Sequence, residues 1–233
     1  MRSPFELTPD SGGGFSGIVR VFPLPNAVLF PHVLLPLHIF EPRYVEMVED
    51  ALDGDNLIAL AQLKPGWETQ RGDTPDLFPI LCVGHIAHHV RLQNGHYNLV
   101  LQGTQRARLI HELPQQQAYR LAKVELLEEV FDASNETLAN SLRAELLRGF
   151  RRLFPKLDVE HDLHHVFESD IPLGVLCDVF AYSLQLEPLV AQQLLAEADV
   201  ERRSRLLLSL MEAELAKKPA EIVREFPPPF SLN

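Results

Sequence analysis

Between Phe131 and Ser134 the hydrophobic period of this chain changes, and that change constrains the fold more than any other feature of the sequence. Upstream, apolar and β-branched residues come in short runs bounded by Pro, Gly and Asn: Ile18 to Phe22, Val33 to Ile39, Leu57 to Leu63, Ile80 to Leu92, Tyr97 to Gln102, Arg106 to Glu112 and Tyr119 to Leu127. Runs of that length and chemistry predict strands. Asn94-Gly95 joins two of them as a hairpin, because a type I′ turn needs positive φ at both central residues. One helix interrupts the series: Glu41-Pro42 opens it, Tyr44, Met47, Val48 and Leu52 share a face, and Gly54 closes it. Many short strands around one helix predict a small, closed or half-closed β-barrel.

Downstream the period is helical. Ser134 caps a first helix whose stripe is Leu138, Leu142, Leu146, Phe150 and Leu153 or Phe154, and Pro155 ends it. A second helix starts near Asp170, with Pro172 in its first turn and Leu173, Leu176, Cys177, Phe180 and Leu184 as its stripe. A third opens at Glu187-Pro188, and a fourth at Asp199 with Leu207, Leu210, Met211 and Leu215 along one side. The expected fold class is therefore α+β, an N-terminal β-barrel lobe over 18–131 followed by an α-helical bundle over 132–218. A flexible arm over 1–17, around Ser11-Gly12-Gly13-Gly14, and an extended tail over 219–233, with Pro227-Pro228-Pro229, flank them. No internal repeat is visible.

The longest apolar stretch, Val28 to Phe40, is interrupted by Pro31 and Pro36 and falls short of the roughly 20 residues a membrane helix needs. No apolar run follows Arg2, so no signal peptide is read. Cys82 and Cys177 sit in apolar surroundings and read as buried free thiols. The expected setting is soluble and cytoplasmic. A net charge of −11 repels phosphate backbones, which disfavours nucleic acid as a partner. Arg106 with Arg108, and Arg202 with Arg203 and Arg205, read as solvated charge.

Little in the sequence spells catalysis. None of the 12 glycines is followed by Lys, so there is no phosphate-binding P-loop, and no G-x-S-x-G occurs. Alternation on a strand puts His85 and His89 on one face and His88 on the other, too far apart to share a zinc ion. His161-Asp162-Leu163-His164-His165 spells H-D-x-x-H, and on a helix His161 and His165 would face one metal. A shorter Asp as base, no assigned third ligand (Glu187 or Glu197 could be nominated) and a position after Pro155 favour a polar connection instead. No cofactor is expected. Trp67, in the polar loop from Lys64 to Asp76, reads either as a lid over the core edge or as a contact for a ligand. Leu29-Phe30-Pro31-His32 reads either as core or as an exposed apolar patch for a binding partner.

Several blocks, in order, resemble the N-terminal substrate-binding domain family of Lon proteases. Val21-Phe22-Pro23-Leu24-Pro25-Asn26-Ala27-Val28-Leu29-Phe30-Pro31 resembles its opening, and Leu35-Pro36-Leu37-His38-Ile39-Phe40-Glu41-Pro42-Arg43-Tyr44 continues it. Ile58 to Gln62, Val83-Gly84-His85-Ile86-Ala87, the Gly103-Thr104-Gln105-Arg106-Ala107-Arg108 hairpin and Leu184 to Leu215 are similar to later blocks. The resemblance implies a barrel related to PUA folds and then a helical bundle. It also implies a stand-alone member without the ATPase or the Ser-Lys peptidase. Its implied role is non-enzymatic recognition of unfolded or extended protein segments in quality control, beside a protease or chaperone. Peptide binding is expected at Leu29, Phe30, Pro31, His32 and Trp67. The alternatives are a metal-dependent hydrolase using His161 and His165, and RNA binding through the barrel.

Overall fold

The computed structural model describes residues 15–69, 74–114, 116–132, 135–155 and 171–217. Ser134, the His161 to His165 segment, the arm as far as residue 14 and the tail from residue 218 lie outside the described residues. The chain divides after Leu127 into two compact units.

The first unit holds six strands and a helix among the described residues. They are β1 (Ile18–Leu24), β2 (Leu34–Ile39), α1 (Pro42–Leu52), β3 (Leu57–Gln62), β4 (Ile80–Arg91), β5 (Tyr97–Glu112) and β6 (Arg120–Leu126). The strand order is β2-β5-β4-β3-β1-β6, and an additional β5–β6 pairing closes β1, β3, β4, β5 and β6 into a ring. The barrel is thus closed. β2 stands outside it as a sixth strand on the first half of β5, because β5 pairs β2 through Gln102 and turns to β6 only from Ala107.

Alternation builds the interior. Val19 and Val21 of β1, Leu57, Ala59 and Ala61 of β3, Leu81 and Val83 of β4, Ala107 of β5, and Ala122 and Val124 of β6 form one buried cluster. Every residue of β3 is buried, since Ile58 and Leu60 leave its opposite face toward the side where α1 packs. β1 and β3 run parallel, so the chain needs a crossover between them, and β2 with α1 supplies it. α1 buries Tyr44, Met47, Val48 and Ala51.

The second unit carries α2 (Glu136–Leu153), α3 (Leu173–Ser183), α4 (Pro188–Ala196) and α5 (Val200–Ala216) among its described residues. Asn135 caps α2, its side chain accepting from Leu138 N at 3.1 Å. Arg151 and Arg152 in the last turn sit favourably against the helix dipole. Asp199 caps α5 by accepting from Arg202 N at 3.1 Å. α2 and α3 both pack on α5, and Phe150 stacks on Phe180 with ring centroids 4.0 Å apart.

Two expectations are corrected here. The paired His85 and His89 do not share a face: a bulge between Ile86 and His88 shifts the alternation, so that His85 and His88 stand opposite Gln102 and Val100, while His89 stands opposite Leu99. The arginines are not all solvated either. Arg106 is 2% exposed and Arg203 0%, each drawn into its own unit's core while Arg108, Arg202 and Arg205 stay at the surface.

Candidate functional site

The barrel unit carries an open cleft of about 700 Å³. The end of β1 and the turn after it form one wall, Phe22 to Ala27. The end of β2 and the start of α1 form the next, with His38, Ile39, Phe40, Glu41, Arg43 and Tyr44. Leu63, Trp67, Thr74, Pro75 and the start of β6 from Ala118 to Arg120 complete it. Phe22, Leu24, Ile39, Tyr44, Leu63 and Tyr119 are buried and make an apolar floor, while Phe40 is 41% exposed at the rim.

Strand register explains why the cleft is there. The ladder from β1 to β6 ends at Val21↔Arg120, yet the ladder to β3 continues to Leu24↔Gln62. Beyond Val21, β1 therefore has one partner, and its other edge opens toward the cleft. Pro23 sits in that single-partner stretch, where a missing N–H is tolerated. β2 likewise pairs only with β5 among the described residues. Gly103 N donates to Val33 O at 2.9 Å, so alternation turns Leu35, Leu37 and Ile39 toward β5 and leaves Leu34, Pro36 and His38 on the free edge.

Polar groups hold the walls in place. Arg120 donates through Nε and Nη2 to the Glu112 carboxylate at 2.6 and 2.5 Å, and through Nη1 to the Pro75 carbonyl at 2.9 Å. That fixes the loop before β4 to the start of β6. Tyr119 donates its hydroxyl to Asp50 Oδ2 at 2.6 Å. Burial first, and then the bond to Asp50, push the Tyr119 phenol up to about 12. Arg43 donates from Nε and Nη2 to Glu41 at 3.1 and 2.8 Å and lies 4.5 Å above the Tyr44 ring. Tyr44 meets Phe22 edge-on at 4.6 Å. Burial raises the Tyr44 phenol, Arg43 opposes it, Glu41 adds to the rise and Arg120 opposes it again.

Of the residues expected to bind a peptide, Trp67 lines the cleft and also packs on the barrel core. Of the two readings of Leu29 and Phe30, core holds and the exposed patch is corrected: they are 0% and 1% exposed, and Pro31 is buried. Two glycines explain this. A Cβ on Gly84 would stand 2.7 Å from Leu101 Cγ and 3.0 Å from Leu29 Cδ2, so Leu29 fills the space a side chain would take. The turn at Phe30-Pro31 presses its backbone onto Gly103. His32 is exposed on that turn at φ 65°, with its N–H bonded to Gly103 O. His161 and His165 lie outside the described residues, and among the described residues no group of three or more His, Cys, Asp or Glu is placed to hold a metal ion. Sequence reasoning missed Tyr44, Phe40 and Arg120; Tyr44 fitted a helical core stripe, and the signal available was the Pro-Leu-Pro where β1 loses its second partner.

Residues 18–213 match the model of the ATP-dependent protease La (LON) substrate-binding domain, and the chain belongs to that family. It is 30% identical over 201 residues to the Lon protease of Dictyoglomus thermophilum, covering 85% of this chain and 24% of that protein. It is 29% identical over 199 residues to the Lon protease of Escherichia coli K12, covering 84% and 25%. The chain thus spans about a quarter of the length of these relatives. Its fold matches the N-terminal domain of a Mycobacterium avium complex Lon protease with TM-score 0.68 at 17% identity, over 84% of this chain and 98% of that one. A Lon N-terminal domain protein from Xanthomonas campestris matches with TM-score 0.54 at 20% identity, over 87% and 99%. No helix among the described residues is long and apolar enough to cross a membrane.

Proposed function

We propose that this chain is a non-catalytic module that holds extended or unfolded protein segments, and that the cleft of the barrel unit is where it holds them. The observation that carries this reading is an apolar floor beside two strand stretches with a free edge. An extended segment offers apolar side chains and backbone N–H and C=O groups together, and such a cleft receives both. Trp67 and Phe40 at the rim are the contacts; Leu29, Phe30 and Pro31 support β4 and β5 from beneath. We place the protein in the cytoplasm, as a participant in protein quality control alongside a protease or chaperone. Two buried free cysteines fit a reducing compartment. The peptidase activity of full-length Lon proteases is theirs and is not part of this reading.

The sequence holds one tryptophan, so its emission reports on the cleft directly. Titration with an unfolded, alkylated protein should give a saturable change in Trp67 emission. Phe40→Ala should weaken that binding by about fivefold to tenfold, the cost of losing one partly buried aromatic contact. Wild-type affinity in the Phe40→Ala variant by emission, and in the Trp67→Ala variant by polarisation of the labelled protein, would place the segment elsewhere and end the reading.

A further inference from the structure

Tyr44 is 6% exposed and lines the cleft, yet its hydroxyl has no hydrogen-bond partner among the described residues. That hydroxyl is open to the cleft and so available to a ligand, whereas those of Tyr119, on the same cleft, and Tyr97 are engaged, by Asp50 and by Glu49 at 3.4 Å. Two arginines line the same cleft, Arg43 over the Tyr44 ring and Arg120. Arg43 uses Nε and Nη2 on Glu41 and leaves Nη1 without a bond among the described residues. Arg120, which lines the same cleft, uses three of its five N–H groups on Glu112 and Pro75. Glu41, which lines the cleft, is engaged through Oε2 by Arg43, and Glu112 is engaged by Arg120. The donors this wall offers a ligand are therefore one phenolic O–H and the remaining guanidinium N–H groups, above a floor of Phe22, Leu24 and Ile39.

We propose that this wall recognises a carboxylate carried beside an apolar side chain, the carboxylate accepting from Tyr44 Oη and Arg43 Nη1 while the side chain enters the floor. The inference rests on reading the cleft as the binding site and adds what kind of segment is preferred. A carboxylate suits a site built of donors, and a guanidinium is the group that best shares one. A doubly charged phosphate fits less well, because Glu41 and Glu112 already neutralise Arg43 and Arg120 one for one. The carboxylate comes from the end of a chain or from an Asp or Glu within it.

The test uses one labelled peptide with an apolar last residue in three forms: free acid, C-terminal amide, and amide with a Glu beside the apolar residue. Fluorescence polarisation gives the affinity of each for the wild-type chain and for Tyr44→Phe and Arg43→Gln. The free acid should bind about tenfold or more tighter than the amide, the scale of a hydrogen bond to a charged group. Tyr44→Phe, which keeps the ring against Phe22, should remove most of that difference and leave the affinity for the amide unchanged. A melting curve equal to wild type excludes misfolding of the variants. If the Glu peptide matches the acid, a side-chain carboxylate serves; if it matches the amide, the chain terminus is the ligand. Equal binding of acid and amide to wild type overturns the proposal while the cleft reading stands. No binding of any peptide, with Trp67 emission unchanged, overturns both.

Discussion

The guanidinium of Arg203 stands with Nε 3.5 Å from Oδ1 of Asp178, and neither side chain reaches solvent, at 0% and 1% exposure. The contact is ionic; at that length it is a poor hydrogen bond. Arg203 also donates from Nη1 to the carbonyl of Glu197, just past the end of α4, at 2.8 Å, and pairs through Nη2 with Glu129 ahead of α2. One side chain of α5 thus ties together α3, the end of α4 and the segment leading to α2. Removing one partner of a buried pair strands the other charge, so Arg203→Met should cost about 3–5 kcal/mol of stability. Replacing both, as Arg203→Met with Asp178→Leu, should recover much of that loss. Urea unfolding of wild type and the two variants measures both effects.

A second prediction concerns Gly103. A Cβ there would stand 2.8 Å from the carbonyl carbon of Phe30 and 3.2 Å from Cα of Pro31. Both are backbone atoms and cannot swing aside. His32 N and Gly103 N each bond across this contact, at 2.8 and 2.9 Å. Gly103→Ala should therefore destabilise the barrel unit by about 2 kcal/mol or more, the scale of strain and lost hydrogen bonds together. Gly95→Ala is the comparison: it tests a positive φ of 84° with no atom within 4 Å, and should cost only about 1 kcal/mol.

The third prediction is a pH dependence. The Tyr119 phenol is raised from 10.0 to about 12, by burial and then by its bond to Asp50. A folded value above the unfolded one means that the folded state holds its proton more tightly. The contribution is present in full below about pH 10 and is lost as pH rises through about 12. Cys177, raised from 9.0 to about 11 by burial, acts in the same direction over a lower range. Thermal melts between pH 9 and pH 12 of wild type and Tyr119→Phe separate the two, because the Tyr119 share of the slope should vanish in the variant alone.

Local periodicity carried most of the fold. Leu142, Leu146, Phe150 and Leu153 of α2 are buried as their spacing predicts, and α4 opens at Glu187-Pro188 as read. Elements whose form depends on distant partners were less legible. β5 reads as two strands in sequence, split at Gly103, yet it runs unbroken because its second half finds β6. The histidine faces of β4 were misread because a bulge leaves no mark in the local pattern. Arg203 looked like surface charge beside Arg202 and Arg205; its acidic partners are 25 and 74 residues away in sequence, and only the packed helices bring them together. The site suffered most. Trp67 was visible as an odd residue in a polar loop, whereas Tyr44 looked like any core residue of α1. What sets it apart is a hydroxyl without a partner, which a sequence cannot display.

β1 and β6 lie side by side and run in opposite directions, with Ile18 facing Lys123 and Gly17 O accepting from Val124 N at 2.8 Å. The polypeptide consequently enters and leaves the barrel at neighbouring points. A unit wired in that way can be cut out and spliced into a surface loop of an unrelated host without stretching either junction. Its cleft, built wholly from residues between those two points, would travel with it whole.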